Sequence, residues 1–272
     1  MKPLLIPVIR IVTVLGFCAI SASVAMYLLQ DRMIFYPQRI RRSDLDAIKS
    51  YRNVREVAVT ARDGTVIKGW FVDNGNPGRS KLLFYFGGNA EEVSYLIPKA
   101  AGSKDCSFVL MNYRGYGQSQ GKPSETSLCS DALEIYDSFA GRTGAKDQRI
   151  IIMGRSIGTG VAVFLAKNRK SDGVILVSPY NDFKSLAQYH FPYLPVGLMI
   201  KYKFNSGEKA PSIKSPLMIM LGTEDKTIPP QQSRLLAQKW GGMVTIKEFE
   251  GADHNTFGHG YWQCIKEFLN QY

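Results

Sequence analysis

Residues 149–170 read RIIIMGRSIGTGVAVFLAKNRK and join two elements of secondary structure with almost no loop between them. The apolar run at 150–153 predicts a short buried strand. Small and apolar residues at 158–169 recur with a helical period and predict a helix. The corner between the two is the sequence GRSIG at residues 154–158. This stretch therefore predicts a strand that turns sharply into a helix and carries a serine at the turn.

Short apolar runs of the same kind occur on both sides of this stretch. Six short apolar runs, each with Gly, Asn, Asp or Ser soon after it, predict buried strands: KLLFYFGGN, SFVLMNYRG, RIIIMGRS, GVILVSPY, PLMIMLGTED and VTIKEFEGADH. Before them, REVAVTARDGTVIKGWFV alternates apolar and polar residues around an Arg-Asp-Gly turn and predicts a β-hairpin. Helical patterns lie at residues 91–101, 125–140, 158–169, 231–240 and 262–272. The alternation predicts an α/β fold, with a mostly parallel central sheet flanked by helices on both faces.

Residues 180–216 are the longest departure from this alternation. They hold aromatic residues and methionine among proline, asparagine and glycine, and we expect them to form a small inserted cap. A chain of 272 residues that is 45% hydrophobic can bury one large core, or two small ones at most. One catalytic domain with a cap insertion is therefore the simplest architecture.

An uncharged apolar run lies near the N-terminus, from residue 11 to residue 29. As a helix, a run of about 19 residues would reach about 29 Å, close to the hydrocarbon thickness of a bilayer. We therefore expect a transmembrane helix, with residues 1–37 as a membrane anchor and juxtamembrane segment and residues 38–272 as the catalytic domain. A cleaved secretion signal is the alternative, because Ser21-Ala22-Ser23 is a tolerable cleavage site. Basic residues flank both ends, so the side of the membrane that the domain faces stays open.

Charge and cysteine spacing limit the classes of partner and cofactor. The formal net charge of +11 would suit phospholipid headgroups or nucleic acid. No zinc-finger spacing, aromatic RNA-binding signature or dense basic arm occurs, so we expect no nucleic-acid partner. No CxxC or Cys/His metal spacing occurs either, and we expect buried thiols, with a Cys106–Cys129 bridge as the alternative.

Ser156 lies directly after a strand, where open α/β sheets bind their ligands. A G-x-S-x-G turn between strand and helix is a nucleophile elbow. Its glycines avoid collision with neighbouring elements, and its serine accepts backbone strain that exposes Oγ. The helix behind the serine adds the positive end of its dipole and free N–H groups. We predict that Ser156 is a nucleophile.

A serine hydroxyl needs a general base, usually a histidine that is oriented by a carboxylate. His254 in EFEGADHNTF follows the last predicted strand and is the predicted base; His190 in the cap and His259 near the final helix are the alternatives. Asp225 in MIMLGTEDKTIP also follows a strand and is the predicted acid. Asp182, after a different strand, is the alternative acid, whereas Glu224 is expected to be a solvated turn residue and Asp253 an exposed loop residue.

Acyl transfer also needs two N–H donors for the oxyanion of the tetrahedral intermediate. Ile157, the residue after the serine, is the first predicted donor. Gly87 and Gly88 let the backbone after the third strand approach a substrate, and Asn89 is the second predicted donor. The alternative for Gly-Gly-Asn is a simple strand-terminating turn.

Several ordered motifs resemble one family. The motifs NYRGYGQSQGKPSE, GRSIGTG, LGTEDKTIP and GADH, with MIFYP after the apolar run, are similar to the membrane-anchored α/β-hydrolase-domain family from about residue 31 onward. The resemblance implies an α/β-hydrolase fold, a serine hydrolase mechanism and ester or thioester substrates, often lipids. It also implies the chain order Ser156, Asp225, His254. Many members have His-Gly-Asn in the third-strand loop, where this chain has Gly-Gly-Asn.

The expected function is cleavage of ester or thioester bonds of lipophilic acyl substrates, with no metal or organic cofactor. A serine peptidase is the alternative among enzymes, and a membrane-tethered scaffold is the alternative outside them. Within NYRGYG we expect Arg114 to have a structural role and to pair with a carboxylate.

Overall fold

The computed structural model of the protein describes residues 5–75, 81–104, 106–141, 148–256 and 258–271. Its eight strands are β1 (Val54–Thr60), β2 (Val66–Val72), β3 (Lys81–Phe86), β4 (Cys106–Met111), β5 (Arg149–Arg155), β6 (Gly173–Val177), β7 (Leu217–Gly222) and β8 (Val244–Phe249). They form one sheet in the order β1-β2-β4-β3-β5-β6-β7-β8. β2 pairs antiparallel with β1 and with β4, and all other pairs are parallel. The predicted hairpin and mostly parallel sheet are confirmed.

Helices cover both faces of the sheet, as predicted. They are α1 (Leu5–Ile34), α2 (Arg42–Ile48), α3 (Ile97–Ala101), α4 (Glu125–Phe139), α5 (Ile157–Asn168), α6 (Phe183–His190), α7 (Val196–Met199), α8 (Ser206–Lys209), α9 (Pro230–Lys239) and α10 (His259–Leu269). Buried side chains of α4, α5 and α9 share one apolar core with the sheet. Those of α2, α3 and α10 share the other core. The sheet is therefore buried between two helical layers.

Three predicted elements differ from the structure. The helix expected at residues 91–101 is a 3₁₀ turn at Val93–Leu96 followed by α3, because Pro98 in the first turn of α3 has no N–H to continue an earlier helix. The final helix begins at His259, before the predicted residue 262, and Tyr272 lies outside the described residues. β8 is not a buried strand: it lies at the sheet edge beside β7 alone, and most of its residues are exposed.

The segment between β6 and β7, in which the sequence predicts a small inserted cap, contains α6, α7 and α8. Asp182 is the N-cap residue of α6, and its side chain accepts a hydrogen bond from the Ser185 N–H at 2.7 Å. No disulfide joins Cys106 and Cys129; both are buried thiols, on β4 and α4.

α1 contains the apolar run predicted to span a membrane. Residues Ile9–Ile34 have a mean hydropathy of 2.1, and the apolar window that gives this value has no buried residues. Residues 1–4 of the expected anchor segment lie outside the described residues. The last turns of α1 contact the domain: Gln30 donates its side-chain N–H to the Met199 carbonyl at 2.7 Å, and Phe35 beyond the helix is buried. α1 is thus a candidate membrane span with a docked C-terminal end.

Arg114 forms the carboxylate pairs expected from the sequence. Its Nη2 lies 2.7 Å from Asp131 Oδ1, its Nε lies 2.8 Å from Asp131 Oδ2, and its Nη1 lies 2.5 Å from Asp63 Oδ2. The Asp131 side chain is only 6% exposed. Burial raises the pKa of Asp131, and the guanidinium of Arg114 opposes that rise. Arg114 therefore joins the β1–β2 hairpin turn to α4.

Replacing Arg114 with methionine is expected to lower the free energy of unfolding by about 3–5 kcal/mol, because Asp131 would be left buried without a cation. Arg169→Met is the matched control, since its pair with Asp137 is 30% and 45% exposed. That pair should contribute less than about 1 kcal/mol. Thermal unfolding of the detergent-purified chain measures both variants. Equal losses of unfolding free energy in the two variants would show that Arg114 does not compensate the buried charge of Asp131.

Candidate active site

The turn between β5 and α5 has the backbone of a nucleophile elbow. Ser156 has a φ of 52° and a ψ of −123°, a conformation that non-glycine residues rarely adopt. A Cβ on Gly154 would collide with the Gly158 backbone, and a Cβ on Gly158 would collide with the backbone of Phe86 at the end of β3. The two glycines are required because β3 and α5 approach this turn closely.

The structure brings the three predicted side chains into one hydrogen-bonded row. His254 Nε2 lies 3.0 Å from Ser156 Oγ, and His254 Nδ1 lies 2.8 Å from Asp225 Oδ2. Ser156 follows β5, Asp225 follows β7 and His254 follows β8, all at the carboxyl edge of the sheet. With Nδ1 protonated and directed to Asp225, His254 presents the lone pair of Nε2 to the serine hydroxyl. The geometry is that of a nucleophile, a base and an orienting acid.

Asp225 is held on both of its carboxylate oxygens. Oδ1 accepts the Thr227 N–H at 2.9 Å and the Ile228 N–H at 2.8 Å, while Oδ2 faces His254. Burial raises the pKa of Asp225, but the hydrogen bonds from His254 and the Ile228 N–H outweigh burial and hold the pKa below its usual value. Asp225 therefore stays ionised and cannot rotate freely.

The alternative residues lie elsewhere. His190 Nε2 is 2.9 Å from the Thr227 carbonyl, Asp182 caps α6, and Asp253 accepts the backbone N–H groups of Asn255 and Thr256. Glu224 is an exposed turn residue. The side chain of His259 lies outside the described part of the structure.

The loop after β3 lies against the elbow, because Gly158 packs on the backbone of Phe86 and Gly87. Ile157 is the first residue of α5, and Asn89 lies in the turn after β3. Within the described residues, neither backbone N–H has a hydrogen-bond acceptor. By contrast, the Gly88 N–H donates to Glu91 Oε2 at 2.8 Å. Ile157 and Asn89 are therefore among the backbone amides of this region that are available to an oxyanion.

Two tyrosines of the NYRGYG motif hold the loop after β3. Tyr113 donates its hydroxyl to the Gly87 carbonyl at 2.9 Å, and Tyr116 donates to the Asn89 carbonyl at 2.6 Å. The Tyr36 N–H, just beyond α1, reaches the same Asn89 carbonyl at 3.0 Å. Burial raises the pKa of both hydroxyls, so they remain protonated donors. The motif thus supports the loop that carries the predicted oxyanion donor.

Sequence reasoning missed Glu91 and Arg155. The Arg155 guanidinium pairs with Glu91 and also donates from Nη2 to the His254 carbonyl at 3.0 Å. Glu91 Oε2 accepts the Tyr85 hydroxyl at 2.7 Å as well as the Gly88 N–H. This pair joins the β3 loop, the elbow and the His254 loop. A charged residue at the end of an apolar strand was the available signal for Arg155. Residue 155, however, is a variable position of the G-x-S-x-G pattern, so the pattern assigns it no role.

Comparison with known proteins places this chain in a family. A family model described as an alpha/beta hydrolase domain matches residues 99–259. Alpha/beta hydrolase domain-containing protein 17B of Xenopus tropicalis is 32% identical over 204 residues, which cover 72% of this chain and 68% of that protein. The chain belongs to the α/β hydrolase family. The loops of this α/β hydrolase that carry Ser156, Asp225 and His254 meet at the carboxyl edge of its sheet.

Other relatives match most of the chain, and solved structures share its fold. An uncharacterized protein of Mycobacterium tuberculosis is 28% identical over 98% of this α/β hydrolase and 95% of its own length. An uncharacterized membrane protein of Saccharomyces cerevisiae is 26% identical over 79% of the chain and 78% of its own. The Pyrococcus furiosus esterase Pf2001 has a TM-score of 0.66 at 18% identity, covering 88% of this chain and 97% of its own. The acetyl xylan esterase of Paenibacillus sp. R4 has a TM-score of 0.66 at 17% identity, covering 90% and 98%. The esterase structures share the fold.

Proposed function

We propose that this α/β hydrolase is a membrane-anchored serine hydrolase that cleaves carboxylic ester or thioester bonds of lipophilic acyl substrates. The observation that carries the proposal is the hydrogen-bonded row of Ser156, His254 and Asp225, at 3.0 and 2.8 Å. In this proposal residues 1–37 are the anchor and juxtamembrane segment. Residues 38–272 are the catalytic domain, with a cap at about residues 180–216.

In the first half-reaction, Ser156 Oγ attacks the acyl carbonyl carbon while His254 Nε2 takes the hydroxyl proton. Asp225, ionised by its hydrogen bonds, stabilises the imidazolium that forms. The carbonyl oxygen becomes an oxyanion, and the N–H groups of Ile157 and Asn89 stabilise its charge. The intermediate then collapses, the bond to the alcohol or thiol breaks, and the leaving group takes the proton from Nε2.

In the second half-reaction, water replaces the leaving group. His254 Nε2 takes a proton from the water as its oxygen attacks the acyl-enzyme carbonyl, and the same two N–H groups hold the second oxyanion. Collapse breaks the bond to Ser156 Oγ, which recovers its proton from His254. The products are a carboxylic acid and the original alcohol or thiol, and each step uses only residues of this chain and water.

The membrane part of the proposal rests on α1 and its surroundings. α1 has the length and hydropathy of a membrane span, and the yeast relative is described as a membrane protein. A signal sequence would have the same apolar character, but the end of α1 is docked on the cap through Gln30. A helix that supports the folded domain in this way favours a retained anchor over a cleaved one.

A substrate panel tests the proposed reaction. The purified chain in detergent should hydrolyse p-nitrophenyl esters of medium-length acids and should be labelled by a fluorophosphonate at Ser156. Aminoacyl and prolyl amides should be turned over much more slowly. A preference for the amides would replace the esterase proposal with the peptidase. If well-folded protein showed neither turnover nor labelling, the membrane-tethered scaffold would be the remaining function.

A further inference from the structure

A cavity of about 210 Å³ lies between the last turns of α1 and the cap. α1 contributes Met26, Gln30, Met33 and Ile34 to its wall. These residues follow the spacing i, i+4, i+7, i+8, so they lie along one stripe of the helix. One face of the candidate membrane span therefore forms a wall of the cavity.

The interior of the cavity is apolar. Two polar side chains line it, and both are used in hydrogen bonds. Gln30 donates to the Met199 carbonyl at 2.7 Å and accepts the Lys201 N–H at 2.8 Å. His190 Nε2 lies 2.9 Å from the Thr227 carbonyl. The remaining wall is aliphatic or aromatic, for example Leu186 and Phe183 of α6. Such a cavity suits an apolar occupant, because a polar one would lose hydrogen bonds to water.

The α1 wall is fixed to the cap by specific contacts. The Tyr202 hydroxyl donates to Asp31 Oδ1 at 2.7 Å, and the rings of Phe35 and Tyr202 pack edge to face with centroids 5.3 Å apart. Together with both Gln30 hydrogen bonds, these contacts hold the end of α1 in one position against the cap. The cavity is therefore formed where these contacts hold α1 against the cap.

Two series of contacts connect the wall of the cavity to the catalytic row. His190 contacts the Thr227 carbonyl, and the Thr227 N–H donates to Asp225. Phe183 stacks on Tyr180 with ring centroids 4.7 Å apart, and the Tyr180 hydroxyl donates to the Ile157 carbonyl at 3.1 Å. The cavity wall is therefore linked to the Asp225 loop through His190, and to the start of α5 through Phe183 and Tyr180.

The surroundings of the cavity suit contact with a bilayer. The cap carries Leu198 at 89% exposure and Tyr193 at 98% exposure, next to cap residues that line the cavity. The other faces of α1 are also apolar and exposed, among them Leu28 at 65%. Apolar side chains that continue from a candidate span onto the cap would lie at the membrane interface.

The dimensions favour a thin occupant. Pockets for drug-sized ligands usually enclose about 300–1,000 Å³, which exceeds this cavity. We infer that the cavity holds the fatty acyl chain of a membrane lipid, which enters from the bilayer between α1 and the cap and presents its ester carbonyl to Ser156. The inference deepens the proposed function and rests on it. It assigns to the membrane helix a second role, as part of the substrate site.

Filling the cavity from each wall tests the inference. Met33→Trp narrows it from α1, and Ala187→Leu narrows it from α6. In the full chain in detergent, the ratio of kcat/KM for a decanoyl ester to that for an acetyl ester should fall by about tenfold or more. Each excluded methylene should lower the rate about fourfold. The ratio is independent of the fraction of folded enzyme.

Leu28→Trp is the matched control, because Leu28 lies on the exposed side of α1 away from the cavity stripe. Its decanoyl-to-acetyl ratio should equal that of the unmodified chain. An unchanged ratio in both Met33→Trp and Ala187→Leu would overturn the inference. A comparison of two decanoyl substrates would also overturn it. If Met33→Trp slowed turnover of an S-decanoyl peptide but not that of a lipid ester embedded in vesicles, the occupant of the cavity would be an acyl chain attached to a protein.

A binding experiment separates this inference from the proposed reaction. Ser156→Ala protein in lipid nanodiscs is irradiated with a phosphatidylcholine that carries a diazirine in its acyl chain. Crosslinks should map to the peptides containing Met33 and Ala187, and Met33→Trp should remove them. If these crosslinks form but the unmodified chain hydrolyses no ester, the proposed reaction fails and the acyl cavity stands. If esters are hydrolysed but no crosslink maps there, the cavity assignment fails alone.

Discussion

Replacing Ser156 with alanine is expected to lower kcat for an activated ester by about 10⁶-fold, because the variant has no nucleophile for the acyl-enzyme. His254 and Asp225 would remain in place, but removal of the attacking atom costs about as much as removal of the whole row. The alanine retains the strained backbone of the elbow and removes only one hydroxyl, whose contact is His254. The fold should therefore survive.

The measurement is steady-state hydrolysis of a p-nitrophenyl ester, together with fluorophosphonate labelling followed by peptide mapping. Ser130→Ala is the control, since Ser130 is an exposed serine on α4 that bonds only to its own helix. It should keep full activity and labelling. Turnover or labelling that persists in Ser156→Ala would move the nucleophile to another residue and remove the basis of the proposed function.

Replacing Asp225 with asparagine is expected to lower kcat by about 10⁴-fold with little change in KM. The Thr227 and Ile228 N–H groups bond to one side of residue 225 and will select the amide oxygen of the asparagine. Its NH₂ group will then face His254 and donate to Nδ1. This places the imidazole proton on Nε2, so the histidine can no longer accept the proton of Ser156.

Activity and pH-dependent stability together check this prediction. The pKa of Asp225 is lowered in the folded chain, so its ionised form stabilises the fold above the ordinary aspartate pKa, and that contribution is lost as pH falls through the folded pKa. The original chain should therefore be more stable than Asp225→Asn at pH 7, and the difference should shrink below about pH 4. Asp253→Asn is the control for activity, because the side-chain hydrogen bonds of Asp253 lie within its own exposed turn. An active Asp225→Asn enzyme would refute the orienting role.

Much of the fold was predictable because its signals are local. Each central strand is an apolar run that ends in a turn residue, and α5 begins within G-x-S-x-G, directly after the serine. Local signals failed where position in the sheet decides burial: the last strand, β8, is exposed because only β7 lies beside it. They also left the cap without predicted helices, although α6 begins there at Phe183, directly after its N-cap residue Asp182.

The amino-acid sequence alone determined the fold class and the apolar helix, and it predicted the serine, the base and the acid of the catalytic row. Each of these depends on a short pattern or on a position directly after a strand. Only the tertiary structure decided that Arg155 and Glu91 join three loops, and that Tyr113 and Tyr116 hold the loop after β3. It also decided that one stripe of α1 lines a cavity with the cap. The physical reason is that these contacts join residues far apart in the chain. They can form, and stabilise the fold, only once the sheet has brought the loops at its carboxyl edge together.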